Sequence, residues 1–311
     1  MEAEIIWEDA IVRGHVQVWA GSGGAGKTTI ALLAAKDLAA KGFDVLFLQE
    51  DAGAGDMPAL QNHAENHNYS ILNSAINGKS TDDLLRVFHD LIEKKENLSN
   101  RVFFLDTLKK FCDLMTKGGT REFFRLMRSL STLGATIVLL GHTNKSLDHT
   151  GKPVFEGVGD VRNDVDELFY LNRTVPDSQG NVLVSVEPDK QRAMVRTRTF
   201  KINTLTREAE PVSAERSVAE INKIQQSKKD NELVISFISS YLERHSPVNL
   251  TTLTNIANKN CDVGVNSARS LILLHSSEDI DEMKLWKRTR LAKNNTILIS
   301  KKSDLTTSGG A

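Results

Sequence analysis

The feature that most constrains this 311-residue chain is the run Gly21-Ser-Gly-Gly-Ala-Gly-Lys-Thr28. Glycines at 21, 23, 24 and 26 give its backbone the freedom a tight loop needs. Before it, His15-Val-Gln-Val-Trp-Ala20 reads as a buried strand, and after it Thr28 to Lys41 is a helical run closed by Gly42. Strand, loop and helix in this order let consecutive backbone N–H groups curl around a phosphate, with the partial positive charge of the helix N-terminus behind them. Gly21, Ser22, Gly23, Gly24, Ala25, Gly26, Lys27, Thr28 and Thr29 are therefore the candidate nucleotide contacts. Lys27 would reach the β- and γ-phosphates, and the Thr28 hydroxyl would hold Mg²⁺. The competing reading, a glycine-rich turn followed by a chance Lys-Thr, leaves the complete spacing and its flanking elements unexplained.

Further apolar runs mark the other strands of an α/β unit. Asp44-Val-Leu-Phe-Leu-Gln-Glu50 ends in the carboxylates Glu50 and Asp51. Ligands of parallel sheets sit at the carboxyl ends of the strands, which makes Glu50 a candidate general base; a solvated acidic loop is the alternative. Ser80-Thr-Asp-Asp83 is a capping-box variant in front of a helical pattern. Arg101-Val-Phe-Phe-Leu-Asp106 places Asp106 as a second Mg²⁺ ligand, a pattern that gains its weight from the preceding loop. Ala135 to Gly141 is another strand, and His142 beyond it is open to two readings, a γ-phosphate sensor or a structural histidine. Asp189 to Phe200 reads as an extended strand on which Lys190 and Arg192 share a face, suited to a neighbouring subunit's phosphate or to protecting a sheet edge.

Length calls for one large core and a smaller module, and 40% hydrophobic content suffices for both. No apolar run approaches a membrane span and the N-terminus has no signal-peptide pattern, so a soluble cytoplasmic protein without membrane partners is expected. Cys112 and Cys261 have no neighbouring Cys or His in metal-ligand spacing and read as free thiols.

Gly21 to Thr28, Glu50, Asp106, His142-Thr-Asn-Lys145 and Lys190-Gln-Arg192 together resemble the RecA-like motor core of ring-forming replicative helicases. The nearest likeness is to plasmid RepA-type hexameric helicases, with DnaB and KaiC more distant. The resemblance spans residues 10 to 205. It implies a P-loop NTPase core with a largely parallel sheet, ATP and Mg²⁺, a homo-oligomeric ring (a hexamer foremost) with nucleotide sites between subunits, and single-stranded DNA in its channel. By that resemblance Glu50 polarises the attacking water, His142 couples the γ-phosphate to DNA-facing loops, and Lys190 and Arg192 act on the adjacent subunit's nucleotide. Loops 107–119 and 143–165 would line the channel, making Lys109, Lys117, Lys145, Lys152 and Arg162 candidate DNA contacts, with other replication or recombination proteins as further partners. These loops carry no obvious aromatic stacking platform. A non-unwinding DNA-binding or regulatory ATPase, recombinase-like or a loader, therefore stands as the second reading.

Residues 207–229 are polar and read as a linker or an exposed helix. Helical patterns at 231–245, 250–258 and 265–275, then two strands meeting at Asn294-Asn295, suggest a small C-terminal winged helix-turn-helix over 230–302. Seven Lys or Arg lie between 284 and 302. Lys287, Arg288 and Arg290 are the candidate DNA contacts there, and a protein-docking wing is the alternative. The tail 303–311 is expected to be disordered.

Overall fold

The computed structural model divides the chain into two units, Met1–Val218 and Ala219–Ala311. It describes residues 3–302 except 75, 77, 115, 148–152, 156–160, 213–215, 280, 282 and 292–294; the side chains of 145–147, 153 and 154 are also outside the description.

The first unit carries β1 (Ile5–Trp7), β2 (Ile11–Val12), β3 (Val16–Gly21), α1 (Lys27–Ala40), β4 (Asp44–Gln49), α2 (Met57–Asn66), β5 (Ser70–Leu72) and α3 (Thr81–Glu93). These are followed by β6 (Arg101–Asp106), a 3₁₀ turn (Leu108–Lys110), α4 (Lys117–Thr132), β7 (Thr136–Leu147), β8 (Pro153–Phe155), α5 (Val161–Asp164), β9 (Glu167–Arg173), β10 (Asn181–Lys190), β11 (Arg198–Asn203) and β12 (Glu208–Pro211). The main sheet runs β12-β11-β10-β9-β3-β7-β6-β4-β5, with β8 beside β7. From β9 to β5 every pairing is parallel, whereas β10, β11 and β12 add antiparallel strands. This is a mixed α/β fold on a large, mostly parallel sheet.

Helices cover both faces, so the parallel strands read as continuous apolar runs whose successive side chains serve opposite cores. In β6, Phe104 stacks on Phe47 at 5.4 Å on one side, and Phe103 meets Phe88 at 5.1 Å on the other. Each such buried ring contributes about 1.5–3 kcal/mol through its removal from water. On the first face Trp7 stacks on Phe200 at 5.3 Å and donates Nε1–H to Asp37 at 2.9 Å, so the N-terminal hairpin packs on its own unit. The expected capping box starts α3: Asp83 N–H donates to Ser80 Oγ at 3.1 Å and Ser80 N–H to Asp83 Oδ2 at 2.8 Å.

Three expectations need correction. The stretch 107–119, expected as a channel loop, contains the 3₁₀ turn and the first residues of α4, which begins at Lys117. Between Asp189 and Phe200 there is no continuous strand. β10 ends at Lys190 after a register shift, because the Glu167 carboxylate takes the N–H groups of Arg192 and Ala193, each at 3.0 Å, in place of a ladder. The stretch 207–229 contains β12, hydrogen-bonded to β11, and α6 (Val218–Asp230), in which Ile221 and Ile224 are fully buried.

The second unit, from Ala219, takes in α6 after its first residue and then α7 (Glu232–His245), β13 (Val248–Asn249), α8 (Leu250–Asn260), α9 (Val265–Leu274), β14 (Ser276–Ser277), β15 (Trp286–Leu291) and β16 (Thr296–Lys301). Its sheet order is β13-β16-β15-β14, and β15 and β16 form the expected antiparallel pair. Ile238, Leu242, Leu253, Ile272, Trp286 and Ile299 make its separate core. Among the helix and wing cations, Lys284 is buried and donates Nζ to the Leu274 carbonyl, which withdraws it from the surface.

Candidate nucleotide-binding site

The parallel strands β3, β4, β6 and β9 end side by side and deliver Gly21, Gln49, Asp106 and Arg173 to one edge of the sheet, where β7, which runs on past the end of β3, adds His142. Gly24 and Gly26 adopt φ +72° and +94°, conformations that L side chains rarely take, and so let the loop after β3 fold back over the start of α1. α1 begins there without a side-chain cap or an acidic residue in its first turn, leaving its N–H groups directed at the loop. The cavity above has a volume of about 390 Å³, within the range of small-ligand sites. Gly23 to Thr29 form its floor; Asp51, Asp56, Arg173 and Arg207 add charge, and Leu32, Leu60, Val182 and Ile202 an apolar side.

Thr28 Oγ1 donates to Asp106 Oδ2 at 2.6 Å, and Gln49 Nε2 donates to the same oxygen at 3.0 Å. Asp106 is 2% exposed; burial pushes its carboxyl above the ordinary range, against the lowering effect of the Thr28 and Gln49 hydrogen bonds. Lys27 donates Nζ to the carbonyls of Gly21 at 2.8 Å and Ser22 at 3.0 Å. Burial lowers its pKa, partly offset by Asp106 and Asp51. A hydroxyl and a carboxylate in contact supply the hard oxygen donors that Mg²⁺ prefers, and an ammonium beside a loop of N–H groups supplies positive charge for phosphate. The residues present therefore fit a magnesium nucleotide, with Thr28 and Asp106 as the groups that would hold the ion.

Other expected residues are distributed unevenly. His142 lies opposite Gly21 in the β3–β7 register and lines the cavity. Glu50 does not line it: its carboxylate accepts from Ser74 N–H at 2.7 Å and Ser74 Oγ at 2.5 Å, drawn aside by the turn after β5. Asp51, one residue on, faces the cavity instead, its N–H held at 2.8 Å by Gln49 Oε1. Lys190 and Arg192 sit beside the beginning of β9, about 20 Å along that strand from Arg173 at its other end. Lys190 Nζ donates to the carbonyls of Arg162 at 2.7 Å and Val165 at 2.8 Å, and Arg192 pairs with Asp166 at 2.7 Å. Asp166 also accepts from Arg128 and from Val16 N–H; burial raises its pKa, but these bonds outweigh it and hold the carboxyl below its usual range.

Of the expected DNA contacts, Lys109 and Lys117 are exposed, Arg162 is paired with Asp189 at 2.8 Å, and Lys152 and the side chain of Lys145 lie outside the described residues. In the second unit Lys287 is half-buried, Arg288 pairs with Glu278 at 3.3 Å, and Arg290 is exposed.

Sequence reasoning missed Gln49 and Arg173. Gln49 stood in view as a polar residue ending an apolar strand. Arg173, which donates Nη1 to the Gly24 carbonyl, is 149 residues away in sequence, and only the pairing of β9 with β3 brings it there.

No protein family and no curated protein matches this chain. Among solved structures it is similar to an ATPase domain at 14% identity, with a TM-score of 0.47 over 67% of this chain and 86% of that one. The functional reading therefore rests on this chain's own residues.

Proposed function

We propose that the chain is a P-loop ATPase of the RecA-like type, coupled to single-stranded DNA and working as a ring-forming helicase. The observation that carries the nucleotide part is the 2.6 Å contact between Thr28 Oγ1 and Asp106 Oδ2 beneath the Gly21–Thr28 loop, two segments 78 residues apart that meet where a phosphate-bound ion belongs. When bound, Mg²⁺ neutralises charge on the β- and γ-phosphates. The loop N–H groups and Lys27 bind and orient the phosphates, while Gln49 orients Asp106. Asp51 or Glu50 takes the proton from the attacking water; the geometry favours Asp51, which faces the cavity, over Glu50, which is bonded to Ser74. His142, beside Gly21, senses the γ-phosphate.

The distance of Lys190 and Arg192 from their own loop supports action on the nucleotide of an adjacent subunit, and with it a homo-oligomer, a hexamer foremost. The α-β-α-α-β-β-β order of the second unit from α7 onward supports a winged helix-turn-helix that adds DNA or partner affinity through Lys287, Arg288 and Arg290.

Nucleotide binding is tested by comparing the wild type with Lys27→Ala; equal affinity for ATP would remove the loop from the mechanism. Unwinding is tested by strand displacement. ATP hydrolysis stimulated by single-stranded DNA without displacement of an annealed strand would support the second reading, a non-unwinding regulatory, recombinase-like or loader ATPase.

A further inference from the structure

We infer that the groove between α4 and α5 binds the phosphate backbone of single-stranded DNA, carrying the candidate contact at Lys117 onward along α4 to Arg121 and Arg125. Two cavities of about 300 and 290 Å³ lie along this groove and share Arg121 and Asp164 in their linings. Lys117, Arg121 and Arg125 recur every four residues along α4, about 6 Å of helix rise per step, and so form one stripe. All three are exposed, and their side chains make no hydrogen bond or ion pair among the described residues. Arg128 continues the stripe and is fixed by Asp166 and the Asp164 carbonyl.

This stripe works against its own helix. Like charges four residues apart repel, Lys117 opens a helix whose positive end disfavours a cation, and the first turn contains no acidic residue to offset either effect. A ligand bearing regularly spaced negative charge turns both costs into attraction. Guanidinium groups at 121 and 125 grip phosphate through paired N–H donors. An acidic protein is disfavoured because an interface needs apolar anchors, and the lining's aromatic residue, Phe124, is only 3% exposed.

The proposal rests on the DNA-binding part of the proposed function, and the experiment separates the two. Anisotropy of a labelled single-stranded oligothymidylate is measured with the full chain across a salt series. Each lost phosphate contact on a single strand lowers the slope of log affinity against log salt by about 0.7, so Arg121→Gln/Arg125→Gln should lower its magnitude by about 1.4. Arg121→Lys/Arg125→Lys should retain the wild-type slope, and both variants should bind ATP as the wild type does, which reports a folded first unit. An unchanged slope in the glutamine variant overturns the groove while leaving DNA binding in place. Absence of wild-type binding overturns the groove together with the DNA part of the function. Displacement of the oligonucleotide by polyglutamate in the wild type, at concentrations that leave the glutamine variant's complex intact, supports a groove that holds the oligonucleotide by its charge. Binding of polyglutamate but not oligonucleotide would overturn the proposal in favour of an acidic protein.

Discussion

Replacing Gly26 by alanine tests how the phosphate loop is held against the antiparallel part of the sheet. Gly26 has φ +94°, and a Cβ there would lie 2.6 Å from Ile202 Cδ1 and 3.4 Å from Val184 Cγ2. The left-handed backbone costs an L residue about 1–2 kcal/mol. A methyl there displaces only the far end of the Ile202 side chain, which borders the cavity and can turn toward it, at the cost of an off-rotamer torsion, about 0.5–1.5 kcal/mol. Gly26→Ala should therefore destabilise the first unit by about 1.5–3.5 kcal/mol. The two contributions are separable, because Ile202→Val removes the Cδ1 that would clash, at its own cost of about 0.5–1.5 kcal/mol. In that background Gly26→Ala should cost about 1–2 kcal/mol, a coupling of about 0.5–1.5 kcal/mol between two residues 176 positions apart in sequence. Hydrogen exchange of peptides from β3 and β6 is the suitable assay, since these buried strands open only with the first unit, and the second unit's unfolding does not enter. A cost for Gly26→Ala below about 0.5 kcal/mol, or additive costs in the double variant, would refute the reasoning.

The carboxylate that activates water is decided by two substitutions. If it is Asp51, Asp51→Asn binds ATP and loses turnover while Glu50→Gln keeps it, and the reverse pattern assigns the role to Glu50. Asp106→Asn has a signed pH effect. Burial raises the folded-state pKa of Asp106 above its unfolded value of 3.8, so the folded chain binds the extra proton and stability falls as pH rises from near 4 through the folded value. The asparagine variant should lose less stability over that window in urea melts at fixed pH, while losing Mg²⁺-dependent nucleotide binding; a steeper loss would contradict the sign. Arg192→Ala removes a pair whose arginine is 57% exposed and whose Asp166 keeps Arg128, so stability should change by less than about 1 kcal/mol. Its ATPase activity should fall on the order of 10³-fold with nucleotide binding intact, and mixing with Lys27→Ala should restore part of it. Full activity of Arg192→Ala alone would rule out the role.

Local chemistry made much of the molecule legible from the chain. The Gly21–Thr28 run specifies a strand, a left-handed loop and a helix because its glycines give the backbone the freedom that loop needs. Ser80 and Asp83 name the start of α3 because the capping bonds span three residues. The apolar runs ending at Gln49 and Asp106 are strands because both faces are buried, and the three helices and paired strands after residue 231 followed from their periodicity. What the tertiary structure decided was which of two neighbouring groups faces the ligand. Glu50 and Asp51 are equivalent by pattern, and Ser74 at the end of a different strand turns one of them away. The same holds for Lys190 and Arg192: an alternating strand was the natural expectation, but the buried carboxylates of Asp166 and Glu167 capture Arg192 and end the ladder. Arg173 reaches the loop only because β9 lies beside β3. Strand order and carboxylate burial arise from contacts between segments far apart in sequence, and local periodicity carries no record of them.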